Sequence, residues 1–281
     1  MLYVLFALMG LCAGSFVNAL VWRIHKTWPK TLNKPKTLSS TSKNRYSILH
    51  GRSMCPHCEN QLAWYDLLPV ISWLSLRGKC RYCKEFISVQ YPLVELATAG
   101  LFVLSLRALM PVSTVEYLLF MLWLYILSGL IALFIYDLKW MLLPDRLVLP
   151  LSLTGVVMKL FLLTGSYSLG TVANAFLGGA IIFGFFYVLF HMSAGKWIGG
   201  GDVKLGFLLG LLAGSPVNAF LLLFISSLLG SLVAVPLILS KKAGVKSQLP
   251  FGPFLITATI IVYLYGSQIQ AFYLEKVLLI Q

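Results

Sequence analysis

Apolar residues fall into eight runs, roughly 2–22, 92–110, 115–136, 147–164, 171–192, 203–214, 216–239 and 254–273. A run of about 20 apolar residues is long enough to cross a bilayer as a helix. The sixth run is shorter, and Gly214-Ser215-Pro216 separates it from the seventh as a tight helix–helix turn. Between the first and second runs lies one long polar stretch, residues 23–91. The pattern predicts an all-α polytopic membrane protein with about eight transmembrane helices and a small cytoplasmic insertion after the first. Three parts follow: a first helix over 1–22, the insertion over 23–91, and a helical membrane block over 92–281.

Charge sets the orientation. No basic residue precedes the first run, whereas Arg23, His25, Lys26 and Lys30 follow it, so it does not read as a cleavable signal. That flank places the N-terminus outside and the insertion in the cytoplasm. Alternating sides from there puts twelve Lys and Arg of the insertion inside, with Lys139, Arg146, Lys196, Lys204, Lys241, Lys242 and Lys246. Only Arg107, Lys159 and Lys276 are left outside, as the positive-inside rule requires.

Composition agrees. With 59% hydrophobic and 11% charged residues, the chain departs from soluble domains, which carry about 25% charged residues, and from disordered chains. The net charge of +13 sits mostly in the insertion, so it reports topology and not nucleic-acid binding. Within the insertion, Thr27–Arg52 is rich in Lys, Ser, Thr and Pro. It reads as a mobile basic segment near anionic lipid or as a plain linker.

Four of the five cysteines form two pairs, Cys55-Pro56-His57-Cys58 and Cys80-Arg81-Tyr82-Cys83. Two CxxC hairpins at this separation can bring four thiolates to the corners of a tetrahedron, the arrangement of a closed structural Zn²⁺ site. A cytoplasmic position keeps the thiols reduced, and Lys79, Arg81 and Lys84 offset the charge of such a centre. The insertion is therefore zinc-ribbon-like. A redox dithiol and an iron–sulfur centre are the competing chemistries. His57 reads as a solvated side chain, and Cys12 in the first run as a small packing residue.

Acidic residues are scarce in the membrane block, where each charge is costly. Glu116 and Glu275 fall beside outer loops. Glu95 opens the second run, where a carboxylate suits a helix N-terminus. Asp145, after Leu143 and Pro144, reads as a helix cap paired with Arg146. Asp137 closes the third run and Asp202, after Gly199-Gly200-Gly201, opens the sixth. Both map to the cytoplasmic edge of the hydrocarbon, and the glycines allow close backbone approach or an unwound turn. Two carboxylates that meet across a bundle can share one proton and activate water against a peptide carbonyl. Salt bridges to Lys139 or Lys204, and a proton relay, are the alternatives.

In order along the chain come Gly14-Ser15-Phe16-Val17-Asn18, the paired CxxC loop with Arg77-Gly78-Lys79-Cys80-Arg81, and Tyr91-Pro92-Leu93-Val94-Glu95. Asp137 with Leu143-Pro144-Asp145, Gly199-Gly200-Gly201-Asp202-Val203-Lys204 and Pro250-Phe251-Gly252-Pro253 follow. Together they resemble the type IV prepilin leader peptidases, bacterial membrane aspartic proteases of the GxGD class. The resemblance implies an inner-membrane enzyme that cuts the basic leader from type IV prepilins or pseudopilins, at the cytoplasmic face and after a glycine. It also implies N-methylation of the new terminus with S-adenosylmethionine, Asp137 and Asp202 as the catalytic pair, and Cys55, Cys58, Cys80 and Cys83 as zinc ligands. Lys139 stands where many members carry an acid or a small polar residue. The helix-end dipoles then divide the work, with Asp202 activating water and Asp137 donating toward the carbonyl.

Pro250-Phe251-Gly252-Pro253 reads either as a helix-breaking connector or as an extended segment that pairs with substrate. No Gly-rich loop after a strand marks a site for the methyl donor; the resemblance implies that methylation involves the cytoplasmic insertion, residues 23–91, and the nearby helix ends. A peptidase without methyl transfer, and a zinc-ribbon transporter or assembly scaffold, are the competing functions. The last expects inverted repeats, which the halves do not display.

Overall fold

A computed structural model describes residues 1–27, 51–164, 168–240 and 249–277. Most of the basic segment expected over Thr27–Arg52 lies outside the described residues, as do Lys241, Lys242 and Lys246. The chain divides into two compact units, Met1–Arg107 and Ala108–Gln281.

In the first unit, α1 (Leu2–Thr27) packs on α3 (Gln90–Leu109). The packing follows from Gly10 and Gly14, one helical turn apart on one face. A Cβ on Gly10 would lie 2.6 Å from Ala99 Cα, and one on Gly14 2.7 Å from Glu95 Cα. Two glycines four apart let membrane helices approach backbone to backbone. One turn further on, Asn18 Nδ2 donates to the carbonyl of Tyr91 at 3.1 Å.

Between these helices the insertion forms two matching knuckles. Cys55 N–H donates to Asn60 O and Glu59 N–H returns to Cys55 O; Cys80 N–H donates to Glu85 O and Lys84 N–H returns to Cys80 O. Isolated antiparallel bridges flank them, Met54 with Gln61 and Lys79 with Phe86. Glu59 and Lys84, each just after the second cysteine, both take positive φ, near 55° and 58°. The ribbon is thus two turns built to one plan, with no regular strand among the described residues. The short α2 (Ile71–Ser75) follows a γ-turn closed by Ile71 N–H on Pro69 O, with Val70 at φ 60° and ψ −48°. This turn is rare, and a β-branched residue there is strained. Gly78, at φ +68°, lies so close to Trp73 that a Cβ would meet the ring at 2.9 Å.

The second unit contains α4 (Thr114–Trp140), α5 (Asp145–Phe161), α6 (Leu169–Met192), α7 (Gly200–Ala213), α8 (Pro216–Leu239) and α9 (Gly252–Phe272). Local chemistry sets their ends. Ser113 and Glu116 close a capping box at the start of α4, and Met141 in the left-handed region ends that helix. Gly214 at φ +81° ends α7, and Ser215 then caps α8 with Pro216 at its first position. The expected tight turn at 214–216 is therefore present.

Each of the eight apolar runs is a helix, but among the described residues only six helices are long and apolar enough to cross a membrane. The other two are α5 and α7, with 17 and 14 residues. At 1.5 Å per residue α7 is about 21 Å long, short of the ~30 Å hydrocarbon core. Beyond Lys204 it is apolar on all sides, and Leu205, Leu208, Leu209 and Leu211 are fully buried, so it is the core helix of its unit. Its contact with α6 is again glycine on glycine, since a Cβ on Gly210 would lie within 2.4 Å of Gly178 O. Trp123 of α4 stacks on Tyr263 of α9 with centroids 3.8 Å apart.

Candidate active site

Asp137 occupies the last turn of α4, where its own carbonyl accepts the N–H of Met141. Its side chain is buried, 5% exposed, and Oδ2 accepts the backbone N–H of Gly252 at 3.1 Å. Asp202 is the third residue of α7, where its Oδ2 accepts the N–H of Gly199 at 3.3 Å. The helix termini are as the sequence predicted. The two carboxylates lie within Coulombic range of each other.

Two contacts hold the approach to Asp202. Lys204 Nζ lies 2.8 Å from both carboxylate oxygens of Asp145, tying the first turn of α7 to the first turn of α5. The backbone of Gly201 passes over Leu143, where a Cβ would be 2.8 Å from the leucine Cβ. Asp145 therefore pairs with Lys204 and not Arg146, and the cap of α5 is Pro144 without a side-chain bond. Neither lysine considered for a salt bridge to the aspartates makes one. Lys204 serves Asp145, and Lys139 lies over the Trp140 ring. Gly200 and Gly201 are helical and not unwound.

The segment Pro250–Pro253 also differs from its extended reading. Phe251 is helical and caps α9, and Gly252 and Pro253 form its first turn. Proline suits a first turn because its missing N–H would have no partner there. The free N–H of Gly252 then points at Asp137. A Cβ at Gly252 would sit 2.6 Å from Asp137 Oδ2, so any larger residue must displace that carboxylate. The sequence signal was the Pro-Phe-Gly-Pro pattern itself; its carboxylate partner, 115 residues away, carried none.

In the first unit the sulfur atoms of Cys55, Cys58, Cys80 and Cys83 all lie within 4.8 Å of one another. Cys55 Sγ and Cys83 Sγ are 3.9 Å apart. Tetrahedral Zn–S bonds of about 2.3 Å imply sulfurs about 3.8 Å apart, so the quartet fits a four-thiolate metal ion and not a disulfide. Burial pushes the Cys55 thiol up to about 12. Burial also works against a thiolate at Cys80, yet N–H groups of Cys83 and Tyr82 and its thiol neighbours lower it to about 7. A divalent cation would favour the thiolate at all four. His57 is exposed and outside the quartet, and Cys12 is exposed on α1 rather than packed.

Glu95 is not at a helix start. It lies in the second turn of α3, 6% exposed, with Oε2 accepting the N–H of Val70 at 2.7 Å. Lys159, counted among the outer cations, is buried in α5 over the Tyr263 ring.

The fold and site define a multi-pass helical membrane protein with a converging carboxylate pair and a four-thiol ribbon. Residues 8–109 match the Bacterial Peptidase A24 N-terminal domain, and residues 124–235 match the Type IV leader peptidase family. The Prepilin leader peptidase/N-methyltransferase of Aeromonas salmonicida (strain A449) is 34% identical over 279 residues, covering 96% of this chain and 93% of that protein. Proteins of the same name from Aeromonas hydrophila and Pseudomonas aeruginosa are 35% identical over 279 residues and 34% over 274. They cover 96% and 95% of this chain, and this chain covers 93% and 92% of them. No solved structure matches significantly. The chain belongs to the type IV leader peptidase family.

Proposed function

We propose that this protein cleaves the leader from type IV prepilins or pseudopilins and then methylates the new N-terminal amine with S-adenosylmethionine. Cleavage falls after a glycine, at the cytoplasmic face of the bacterial inner membrane, with the N-terminus outside and the tetracysteine loop inside. The convergence of Asp137 and Asp202 at two helix ends carries this reading.

The chemistry follows from the local hydrogen bonds. Asp202, at a helix N-terminus, is the base. It takes a proton from water as the water oxygen bonds to the scissile carbonyl carbon. Asp137 gives a proton to the carbonyl oxygen. Its Oδ2 already accepts the Gly252 N–H, so the proton it donates is carried by Oδ1. When the tetrahedral species collapses the C–N bond breaks, the leaving amine takes the proton held by Asp202, and one geminal hydroxyl returns its proton to Asp137.

Cys55, Cys58, Cys80 and Cys83 would hold Zn²⁺ in a closed site that folds the ribbon and leaves no position for substrate. The substrate leader and the insertion are both positive, so recognition comes from packing of the substrate's apolar helix and not from electrostatic steering. Incubating the purified protein with a prepilin, with and without S-adenosylmethionine, tests the reading. Leader removal that survives both Asp137→Ala and Asp202→Ala would refute the aspartic mechanism.

A further inference from the structure

The first unit contains a cavity of ≈ 140 Å³ lined by α1, the ribbon and α3. A single water needs only about 10–15 Å³, so the space is large enough for part of an organic ligand. Its polar lining is unusual. Asn18, 5% exposed, has its Oδ1 buried with no donor from any described residue, while its Nδ2 is committed to Tyr91 O. An orphaned buried acceptor costs about 1–3 kcal/mol, and a ligand donor would remove that cost.

Glu95 lines the same cavity. Its carboxylate accepts from Val70 N–H and the Ser15 hydroxyl, and among the described residues no cation pairs with it. The N–H it receives comes from the strained γ-turn at Val70. Strain of this kind persists only where the surrounding structure enforces it, and it clusters at ligand sites. Arg23, whose Nη2 donates to Gly51 O at 2.8 Å, and the aromatic Trp22, Trp73 and Tyr91 also line the cavity. Trp73 is held in place by its Nε1 bond to Ile87 O at 3.0 Å.

A buried carboxylate with an orphaned carbonyl oxygen calls for a cationic, donor-rich group. An arginine on the same wall suits a carboxylate, and aromatic faces suit both a sulfonium and a flat base. A single small molecule has all of these: an α-amino acid zwitterion joined through a sulfonium to adenosine. We propose that S-adenosylmethionine binds in this cavity, with Glu95 and Asn18 receiving its cationic amino-acid end and Arg23 its carboxylate. The inference rests on the chain being an S-adenosylmethionine-dependent methyltransferase. Bound there, the donor supplies an electrophilic methyl group, and the residues named bind and orient it. Every group in the argument lies in the first unit.

Calorimetry with S-adenosylmethionine alone tests the site in the purified full-length protein. Glu95→Gln keeps the shape and removes the charge, and should raise the Kd at least about tenfold, the loss expected for a charge-assisted bond. Asn18→Leu should weaken binding in the same direction. Leader cleavage, measured in parallel, should stay near the wild-type rate. Ultraviolet crosslinking of radiolabelled donor to the unmodified protein avoids any folding defect in the variants. Label in peptides containing Asn18, Trp73 or Glu95 supports the site, and label confined to the second unit overturns it. Unchanged Kd in both variants also overturns it. A wild-type protein that neither binds the donor nor transfers its methyl group overturns the methyltransferase reading and the site together.

Discussion

The backbone N–H of Gly252 donates to Oδ2 of Asp137 at 3.1 Å, joining the start of α9 to the end of α4. This bond holds one carboxylate oxygen, and a Cβ at Gly252 would lie 2.6 Å from that oxygen and push it aside. A main-chain donor biases the carboxylate toward one rotamer. Its precision therefore depends on the absence of one methyl group.

Gly252→Ala is accordingly expected to displace the Asp137 carboxylate. A shift of about 1 Å in a reacting group can cost roughly a hundredfold in rate. Cleavage of a prepilin should fall by about that factor in kcat, with little change in KM and with methyl transfer to a pre-cleaved substrate retained. Normal kcat would show that the contact relaxes without consequence.

Asp137→Asn and Asp202→Asn keep side-chain volume and remove one proton-transfer partner each. Loss of a positioned acid or base costs about 10²–10⁴-fold. Both should fall at least that far in single-turnover cleavage. If they act as one unit, the double variant should be hardly worse than either single one.

The pair Asp145–Lys204 is solvent-accessible on both sides, so its direct stabilisation is about 0–1 kcal/mol. Its value lies in positioning the turn that carries Asp202. Lys204→Asp should lower cleavage more than it lowers the melting temperature. The charge-swapped double variant, Asp145→Lys with Lys204→Asp, should recover a substantial part of the rate. A double-mutant cycle with no coupling energy would remove this role.

Chelation or Cys80→Ser should release the metal and loosen the ribbon, because structural zinc contributes folding free energy directly. Zinc content by mass spectrometry should drop from stoichiometric to near zero. Methyl transfer should fall further than cleavage, since the quartet and the aspartates belong to different compact units. Equal loss of both activities would mean that the ribbon also supports the aspartate site.

Much of the site was legible in local pattern. Asp137 ends an apolar run and Asp202 begins one, so their helix-end positions follow from periodicity alone. The CxxC spacing likewise announced the thiol quartet that the fold assembles. Asp145 shows where local reading stops. Arg146 is its neighbour in sequence, but adjacent side chains on a helix point apart, and Lys204 in α7 presents its ammonium instead. Glu95 stood near a helix start and looked like a partner of the dipole. Only the fold reveals the Val70 turn that it holds.

The sequence by itself determined the helical runs, their caps and turns, the thiol quartet and the few acids worth testing. These depend on neighbours within one or two turns, where composition and spacing govern. Tertiary structure decided that α7 is a short core helix, that Gly252 holds Asp137, and that Asn18 and Glu95 face one cavity. Those outcomes depend on how closely helices approach, which is set where Gly10 and Gly14 meet α3 and where Gly178 meets Gly210. A missing side chain is visible in the sequence, but the surface that fills its place is not.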